Sequence, residues 1–588
     1  MHCAVLRDLA CPTKPAVWDA RSELAKELDA GWLLSDLEEA EALYGHNILG
    51  FDLPALKKLY GFEYSGTVMD TSVLACLAYP NEHLKHLDFE RKGFPKHLAG
   101  HQTLEAWGHR LGCHKGEFKG PWETCTQEMV DYCVQDTEVN LKLLEHLRTL
   151  KLSKQSVELE HAFADYLEEQ RRRGVYFNIA KATALAAELK GKIEAVDRQL
   201  MPMIEMEWME QDGENVCLRQ SPMPSKPGPH WLEPYILPST GEERIRFTKF
   251  NPGSDPQLAR YFVLKYGWAP KDFTDKGRPS LVEKVLSALD FPEIKLLVER
   301  KVLDKRYGTI AKGPGSLLRH VTPSGRIHQR VKHNGAVTSR CTHSSPNFNL
   351  PRNTTAYGLR FRELFEPTPG MVLVGADASG LELRCLAHRI EPFDGGQYVE
   401  TVTTGDVHAA NQKAAGLKTR DQAKTFIYAF LYGAGDAKIG SIVGGGAQAG
   451  GKLRKRFLAR TRGLQQLLDQ LEPQVRRGYL IGMDGRRIPV RHRHAVLNTR
   501  LQSDGAVYMK QATVLFRRFM EEAGFPVGEG WWPVIHQHDE IQAECLPDLV
   551  DTLKAGMVKA FEKAGKVLKF RCPMTGEAIE GKSWADTH

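Results

Sequence analysis

The chain has 588 residues, 42% of them hydrophobic, which is enough for several buried cores and, by length alone, about three to five domains. Lys and Arg (79) nearly balance Asp and Glu (73), so with a net charge of only +6 any affinity for nucleic acid must come from local patches rather than the global balance. Eleven cysteines with no Cys-x-x-Cys pair and no zinc-type spacing exclude a disulfide framework or a structural zinc site, and no apolar run approaches membrane length, so the expectation is a soluble, cytoplasmic protein that does not engage a membrane.

The first 150 or so residues alternate short apolar runs (AVL, GTVMDTSVLACLAY) with helical stretches (SELAKELDAGWLLSDLEEAEALYG), which predicts an α/β domain over 1–150. From about 153 to 205, SKQSVELEHAFADYLEEQRRRG and AKATALAAELKGKIEAVDRQL predict two long amphipathic helices. Pro222, Pro224, Pro227, Pro229, Pro234 and Pro238 then crowd one stretch, which predicts an exposed loop within about 205–248. Helices resume near Pro256, and from about Gly325 strands and helices mix to the end. Lys301 to Arg340 holds nine Lys or Arg against Asp304, and Lys452 to Arg493 holds twelve against Asp469, Glu472 and Asp484. Either patch alone reads as a solvated face, but together they bracket the carboxylates described next.

VLVGADASGLELRCLAHR sets Asp377 at the end of a strand-like run and follows it with Ser379-Gly380 and Glu382, while PVIHQHDEIQAEC places His538-Asp539-Glu540 between two β-prone arms that read as a hairpin. Magnesium takes oxygen ligands, and two ions about 4 Å apart can activate a hydroxyl and steady a leaving group. Asp377 and Asp539 are the candidate shared ligands. Between them, RDQAKTFIYAFLYGAGD repeats Arg420, Lys424, Tyr428 and Tyr432 every four residues, and each step drifts only about 40°, so they form one slowly winding stripe. Charges for phosphates followed by rings for sugar and base match the order of a nucleoside triphosphate. A surface helix with cations lying over a buried aromatic face is the alternative for the stripe alone. The carboxylates tip the reading toward metal-assisted nucleotide transfer.

DASGLELR, RDQAKTFIYAFLYGAG and HDEIQ, in this order, resemble motifs A, B and C of family A (Pol I-type) DNA polymerases, in wording closest to the bacteriophage branch. GAVTSRCTHSSPN, GDVHAANQ, GMDGRRIPVR and HAVLNTRLQSDGA match as well, and the similarity covers most of 150–588. The resemblance implies an α/β and α+β multidomain fold: an RNase H-like exonuclease domain, thumb and start of palm over 151–325, and palm and fingers over 326–588 with fingers at about 395–480. It implies DNA-directed DNA synthesis with two magnesium ions held by Asp377, Asp539 and the carbonyl of Ala378, with Glu540 supporting. Arg420, Lys424 and His408 would grip the triphosphate, and Lys424 would protonate the pyrophosphate. Tyr428 would lie against the incoming sugar and Glu382 would close the space beside its 2′ position. Tyr432, Arg340, Gln502, His538 and Arg486 would touch primer-template DNA. One departure is Pro346-Asn347-Phe348-Asn349-Leu350-Pro351, a residue shorter than the family's pattern, which puts that loop's template contacts in doubt.

The front third resembles the 3′-5′ proofreading exonuclease of the same polymerases. HNILGFDLPAL supplies Asp52 and MVDYCVQDTEVN supplies Tyr132 and Asp136, four apart on one helix face. The family's opening Asp-x-Glu is missing: MHCAV aligns with the second strand, and Asp36-Leu37-Glu38 lies in a helical stretch, the wrong element. The expectation is an exonuclease-shaped domain with weak or no activity, in a chain that begins too late for its first strand. In some phage relatives an insertion in the thumb recruits a host thioredoxin; here the proline-rich stretch is shorter, and a plain flexible loop stands ahead of a contact with a processivity factor or a helicase/primase. A processing nuclease, a catalytically dead DNA-binding scaffold and a single-subunit RNA polymerase are the rival readings; retention of Asp377, Asp539, Arg420 and Lys424 together, and Glu382, speak against them.

Overall fold

The computed structural model describes residues 2–21, 31–204, 210–211, 214–218, 247–274 and 277–588. The proline-rich stretch, with Trp208 and Trp231, lies outside them. The chain forms two compact units, one of Met1–Tyr176, His328–Leu350 and Leu359–His588, the other of Phe177–Ile327 and Pro351–Gly358. The division therefore does not fall at 150: the first of the two long helices, Lys154–Arg173, belongs to the first unit and the second, Ile179–Leu200, to the other.

At the front of the first unit, β1 (Cys3–Leu6) pairs antiparallel with β2 (Ala16–Asp19), and β3 (Ala42–Gly45) pairs parallel with β4 (Thr67–Asp70). Helix α1 (Gly31–Glu39) precedes β3, and α2 (Asp52–Tyr60) lies between β3 and β4. The apolar run GTVMDTSVLACLAY divides at Asp70, ending β4 there, because its carboxylate accepts the Ser72 N–H and caps α3 (Thr71–Ala78). With strands of four residues, packing falls to the helices: Leu74 and Ala75 of α3 and Leu143, Leu144 and Leu147 of α4 (Gln127–Thr149) close a core around Trp107.

Helix α5 (Lys154–Arg173) leads into the main core of the same unit. That core is built on a four-stranded antiparallel sheet in the order β6 (Trp531–Gln537), β7 (Glu540–Cys545), β5 (Val372–Ala378), β8 (Gly576–Gly581). β6 and β7 form the expected hairpin. β5 is central and buried on both faces except at Asp377, which is why VLVGADA reads as a continuous apolar run. Gly375 is required there, since a Cβ would stand 2.2 Å from the Gln542 amide. The 27-residue α9 (Val496–Glu522) is buried along most of its length against α6 (Leu381–Asp394) and α10 (Val550–Val567). Residues 397–477 are a run of helices, among them α7 (Val407–Ala415) and α8 (Arg420–Leu431).

In the second unit, helices Ile179–Leu200, Asp255–Tyr266 and Ile294–Ile310 enclose a core of Leu200, Phe262 and Leu297. Glu293, 1% exposed, accepts hydrogen bonds from the Tyr261 and Tyr266 hydroxyls at 2.5 and 2.7 Å, so its buried charge is satisfied.

Candidate active site

Sheet register brings the two motif carboxylates together. β5 and β7 pair with Asp377 opposite Glu540, and the Ala378 N–H donates to the Asp539 carbonyl at 3.0 Å, so residues 162 positions apart in sequence (539 minus 377) meet at one end of the sheet. The turn that presents Asp539 uses His538 at φ +57°, a left-handed conformation that reverses the chain in two residues. Asp377 opens onto solvent, yet the protein walls around it, then the Asp539 and Glu540 charges, push its pKa up to about 7. Burial, then the charge of Glu382, pushes Asp539 up to about 6. Among the described residues neither carboxylate has an ammonium or guanidinium ion-paired to it; Asp539 adds to the rise at Asp377, while the Arg340 charge draws Asp539 partly back down.

Glu540 is different. It is 3% exposed, and its oxygens accept from Trp584 Nε1 (2.5 Å), Gln542 Nε2 (2.5 Å) and His588 Nδ1 (3.0 Å). Those bonds fix the start of β7. Among the described residues no group of three or more His, Cys, Asp or Glu gathers as a ready metal cage. Two carboxylates whose charge is uncompensated, with backbone oxygen beside them, still fit hard divalent ions that keep water or phosphate oxygens as their other ligands.

Glu382, in the first turn of α6, joins two of the expected DNA-side residues. Its Oε1 accepts from Arg340 NH2 at 2.9 Å and from the Tyr432 hydroxyl at 3.2 Å. The stripe forms as spacing predicts: Thr419 caps α8 by accepting the Gln422 N–H, while Ala423, Phe426, Ile427, Phe430 and Leu431 are buried. Arg420 and Lys424 are exposed, and Tyr432 follows at the helix C-cap, 44% exposed. Tyr428 stacks on Tyr432 with ring centroids 6.3 Å apart and faces His408 of α7 at 6.4 Å. Asp406, to which the sequence reading assigns no role, ties this edge together: it caps α7 by accepting the His408 and Ala409 N–H groups and its other oxygen accepts Arg420 Nε at 2.9 Å. An Asp just before a helical segment is the signal that finds it.

Gln502 lies half-buried on α9 and His538 packs edge-on to His343 at 5.9 Å. Arg486 corrects the expectation of a DNA contact. It is 3% exposed, forked onto Asp484 at 2.6–2.9 Å and ion-paired to Glu160 of α5 at 2.6 Å. Lys510 and His333 converge on the same Glu160 carboxylate. Burying a guanidinium demands such partners, so a basic run in the sequence says nothing about which of its members face solvent.

In the front region a cleft of about 1020 Å³ is lined by Asp52, Asp70, Asp136, Glu168 and Lys115 among others. Asp52 starts α2, and the enclosing walls push its pKa up to about 6. Tyr132 and Asp136 share a face of α4, and Lys115, absent from the sequence reading, meets both: its Nζ lies 3.0 Å from Asp136 and 4.6 Å from the Tyr132 ring centroid. Asp136 is pushed up by burial and pulled back by Lys115. Asp70 is spent on the Asn47, Leu49 and Ser72 N–H groups, and Glu168 pairs with Arg171 at 2.7 Å. Asp36 and Glu38 are exposed on α1, as expected of a chance match.

The family profile for DNA polymerase family A matches residues 239–586. The chain is 32% identical over 697 aligned positions to the DNA-directed DNA polymerase of Escherichia phage T7 and 32% over 696 to that of Enterobacteria phage T3, in each case across 100% of this chain and 97% of the relative. Among solved structures, the POL domain of Pol1 from M. smegmatis, in complex with DNA primer-template and dNTP, superposes with a TM-score of 0.73 at 18% identity, over 98% of this chain and 91% of that one, which shows the shared fold. With motif carboxylates and stripe on one scaffold, and near full-length identity to the phage enzymes, the chain belongs to DNA polymerase family A.

Proposed function

We propose that this DNA polymerase extends a primer 3′ end at the cleft between the β5 end and α8. The observation that carries the reading is the register-fixed meeting of Asp377 and Asp539, neither of them ion-paired to a basic side chain among the described residues. The primer 3′ oxygen bonds to the α-phosphorus of a deoxynucleoside triphosphate, the α–β bridging P–O bond breaks, and pyrophosphate leaves. Asp377, Asp539 and the Ala378 carbonyl are the groups that would hold magnesium, which supplies Lewis acidity to both oxygens of that displacement. Arg420 and Lys424 lie along the exposed stripe to bind the β- and γ-phosphates, and the Lys424 ammonium gives a proton to departing pyrophosphate. Tyr428 and His408 flank the sugar and phosphate, and Glu382, fixed by Arg340 and Tyr432, stands beside the 2′ position and disfavours ribonucleotides.

For the front cleft we infer weak or no 3′-5′ hydrolysis. Among the described lining carboxylates, Asp70 is spent on backbone amides, Glu168 on Arg171 and Asp136 on Lys115, which leaves Asp52 alone for a cation. No helix among the described residues is long and apolar enough to cross a membrane.

The test is a 5′-labelled primer on a longer template with magnesium and deoxynucleotides, ribonucleotides or neither. Lengthening with deoxynucleotides alone and no shortening in their absence is expected. Shortening without lengthening would move the activity to the front cleft and overturn both readings.

A further inference from the structure

Two thiols meet on the wall of the front cleft. Cys3 of β1 and Cys133 of α4 place their sulfurs 3.3 Å apart, although they lie 130 residues apart in sequence. A disulfide has its sulfurs about 2.04 Å apart, so closing the pair needs only about 1.3 Å of motion. The frame around them is already held. Arg7, at the end of β1, donates to Thr137 Oγ1 at 2.8 Å and ion-pairs with Glu138 at 3.4 Å, one turn further along α4. Register on the other side pairs Cys3 with Asp19 of β2. Both cysteines are half-exposed and line the cleft, so a small oxidant can enter. The nearby Cys125 is engaged elsewhere, donating to the His2 carbonyl at 3.1 Å.

We propose that Cys3 and Cys133 are a redox modification site that closes to a reversible disulfide when the protein meets a hydroperoxide. The two sulfurs share one hydrogen bond, in which either can be the donor, and that bond lowers the Cys133 pKa, so Cys133 is taken as the attacking sulfur. That sulfur attacks the peroxide: an S–O bond forms, the O–O bond breaks, and an alcohol or water leaves, giving a sulfenic acid. The Cys3 sulfur then bonds to Cys133, the S–O bond breaks, and the hydroxide departs as water with the Cys3 proton. Two thiols and one hydroperoxide become one disulfide, one alcohol and one water; sulfur is oxidised and peroxide oxygen reduced. The product pins β1 to α4 at the residue next to Tyr132 and one turn before Asp136, so oxidation stiffens the cleft wall.

The experiment treats the full chain with limiting hydrogen peroxide, blocks remaining thiols with iodoacetamide and maps peptides by mass spectrometry. In the wild type, a linked peptide pair containing Cys3 and Cys133 is expected, reversed by dithiothreitol, with no dimedone adduct at Cys133. In Cys3→Ser the sulfenic acid has no partner and dimedone should capture it. Primer extension by Cys3→Ser, unchanged from wild type, reports that the variant folds; if it does not fold, the wild-type map decides alone. The proposal is overturned if wild-type Cys133 takes up dimedone with no linked pair, if Cys133 links to Cys125 instead, or if both thiols survive a dose that oxidises the exposed Cys11.

Discussion

Two clefts in the same unit each present acidic residues, and they differ in what the protein has put beside them. At the sheet end, Asp377 and Asp539 stand near each other with no basic side chain ion-paired to them, and both pKa values are pushed up, to about 7 and about 6. In the front cleft an ammonium already sits 3.0 Å from Asp136. The difference teaches that the same residue type meets two electrostatic settings in one unit: a carboxylate pair without an ion-paired base stays open to a cation, whereas a carboxylate beside a lysine already has an internal partner. The supporting architecture differs in the same sense. Asp377 ends a strand of a four-stranded sheet and Asp539 sits in the hairpin turn beside it, whereas Asp52 and Asp136 come from two helices flanking strands of four residues.

The largest way to break this contrast is to remove one uncompensated acid. Asp377→Asn or Asp539→Asn should lower the single-turnover rate of primer extension by about 10³-fold or more, with unchanged circular dichroism, because several kcal/mol of metal-based charge stabilisation is lost. Retained extension would detach the activity from the sheet end. Next in size is the buried Glu160, which holds Lys510, Arg486 and His333 where α5 passes from the front cleft to the main core. Glu160→Gln leaves two buried cations short of a counter-charge and should cost about 3–5 kcal/mol, seen as a lower melting temperature; a melting point within a degree or two of wild type (about 1 kcal/mol or less) would show that the network is dispensable.

Acid should weaken the polymerase side through histidines kept neutral. Burial, then the Arg389 charge, lowers His388 to about 4, and burial, then His343, lowers His536 to about 3. With a free value near 6.5, the unfolded chain binds more protons than the folded one between about 6.5 and 4, so stability is complete above about pH 6.5 and is lost as pH falls through that window. His388→Gln should flatten this loss by at most about 3 kcal/mol, read from melting temperature against pH. A smaller effect belongs to Asp406, which orients the exposed Arg420 and caps the His408 helix. Asp406→Asn should raise the KM for deoxynucleotides about two- to fivefold with kcat near wild type; equal falls in kcat and kcat/KM would give Asp406 a different part. The smallest expectation sharpens the contrast from the other side: Asp136→Asn, at a carboxylate already ion-paired to Lys115, should leave extension unchanged and primer shortening still absent in gel assays.

The polymerase side was legible because its signals are local. An apolar run ending in Asp377, a hairpin with Asp539 at its turn and a four-residue repeat on α8 each survive as read, since strand burial and helical period are short-range properties. Arg486 was not legible. The nearby Asp484 offers it one carboxylate, but only the fold brings Glu160, 326 positions away (486 minus 160), against it and buries both. Lys115 and Asp406 were missed for related reasons: one reaches Asp136 of α4 from an irregular segment outside any helix, and the other looks like any helix-capping Asp until Arg420 is seen on its second oxygen.

By itself the sequence determined that a strand ends near Asp377, that a hairpin turn carries Asp539 and that a helix aligns Arg420, Lys424 and Tyr428, because periodicity, capping and turn chemistry are written in neighbouring residues. Only the tertiary structure decided which charges are spent. Strand register set Asp377 beside Asp539, packing buried Arg486, and the approach of Lys115 closed Asp136; each depends on contacts between segments far apart in the chain, where electrostatic energy is set by distance and burial rather than by order.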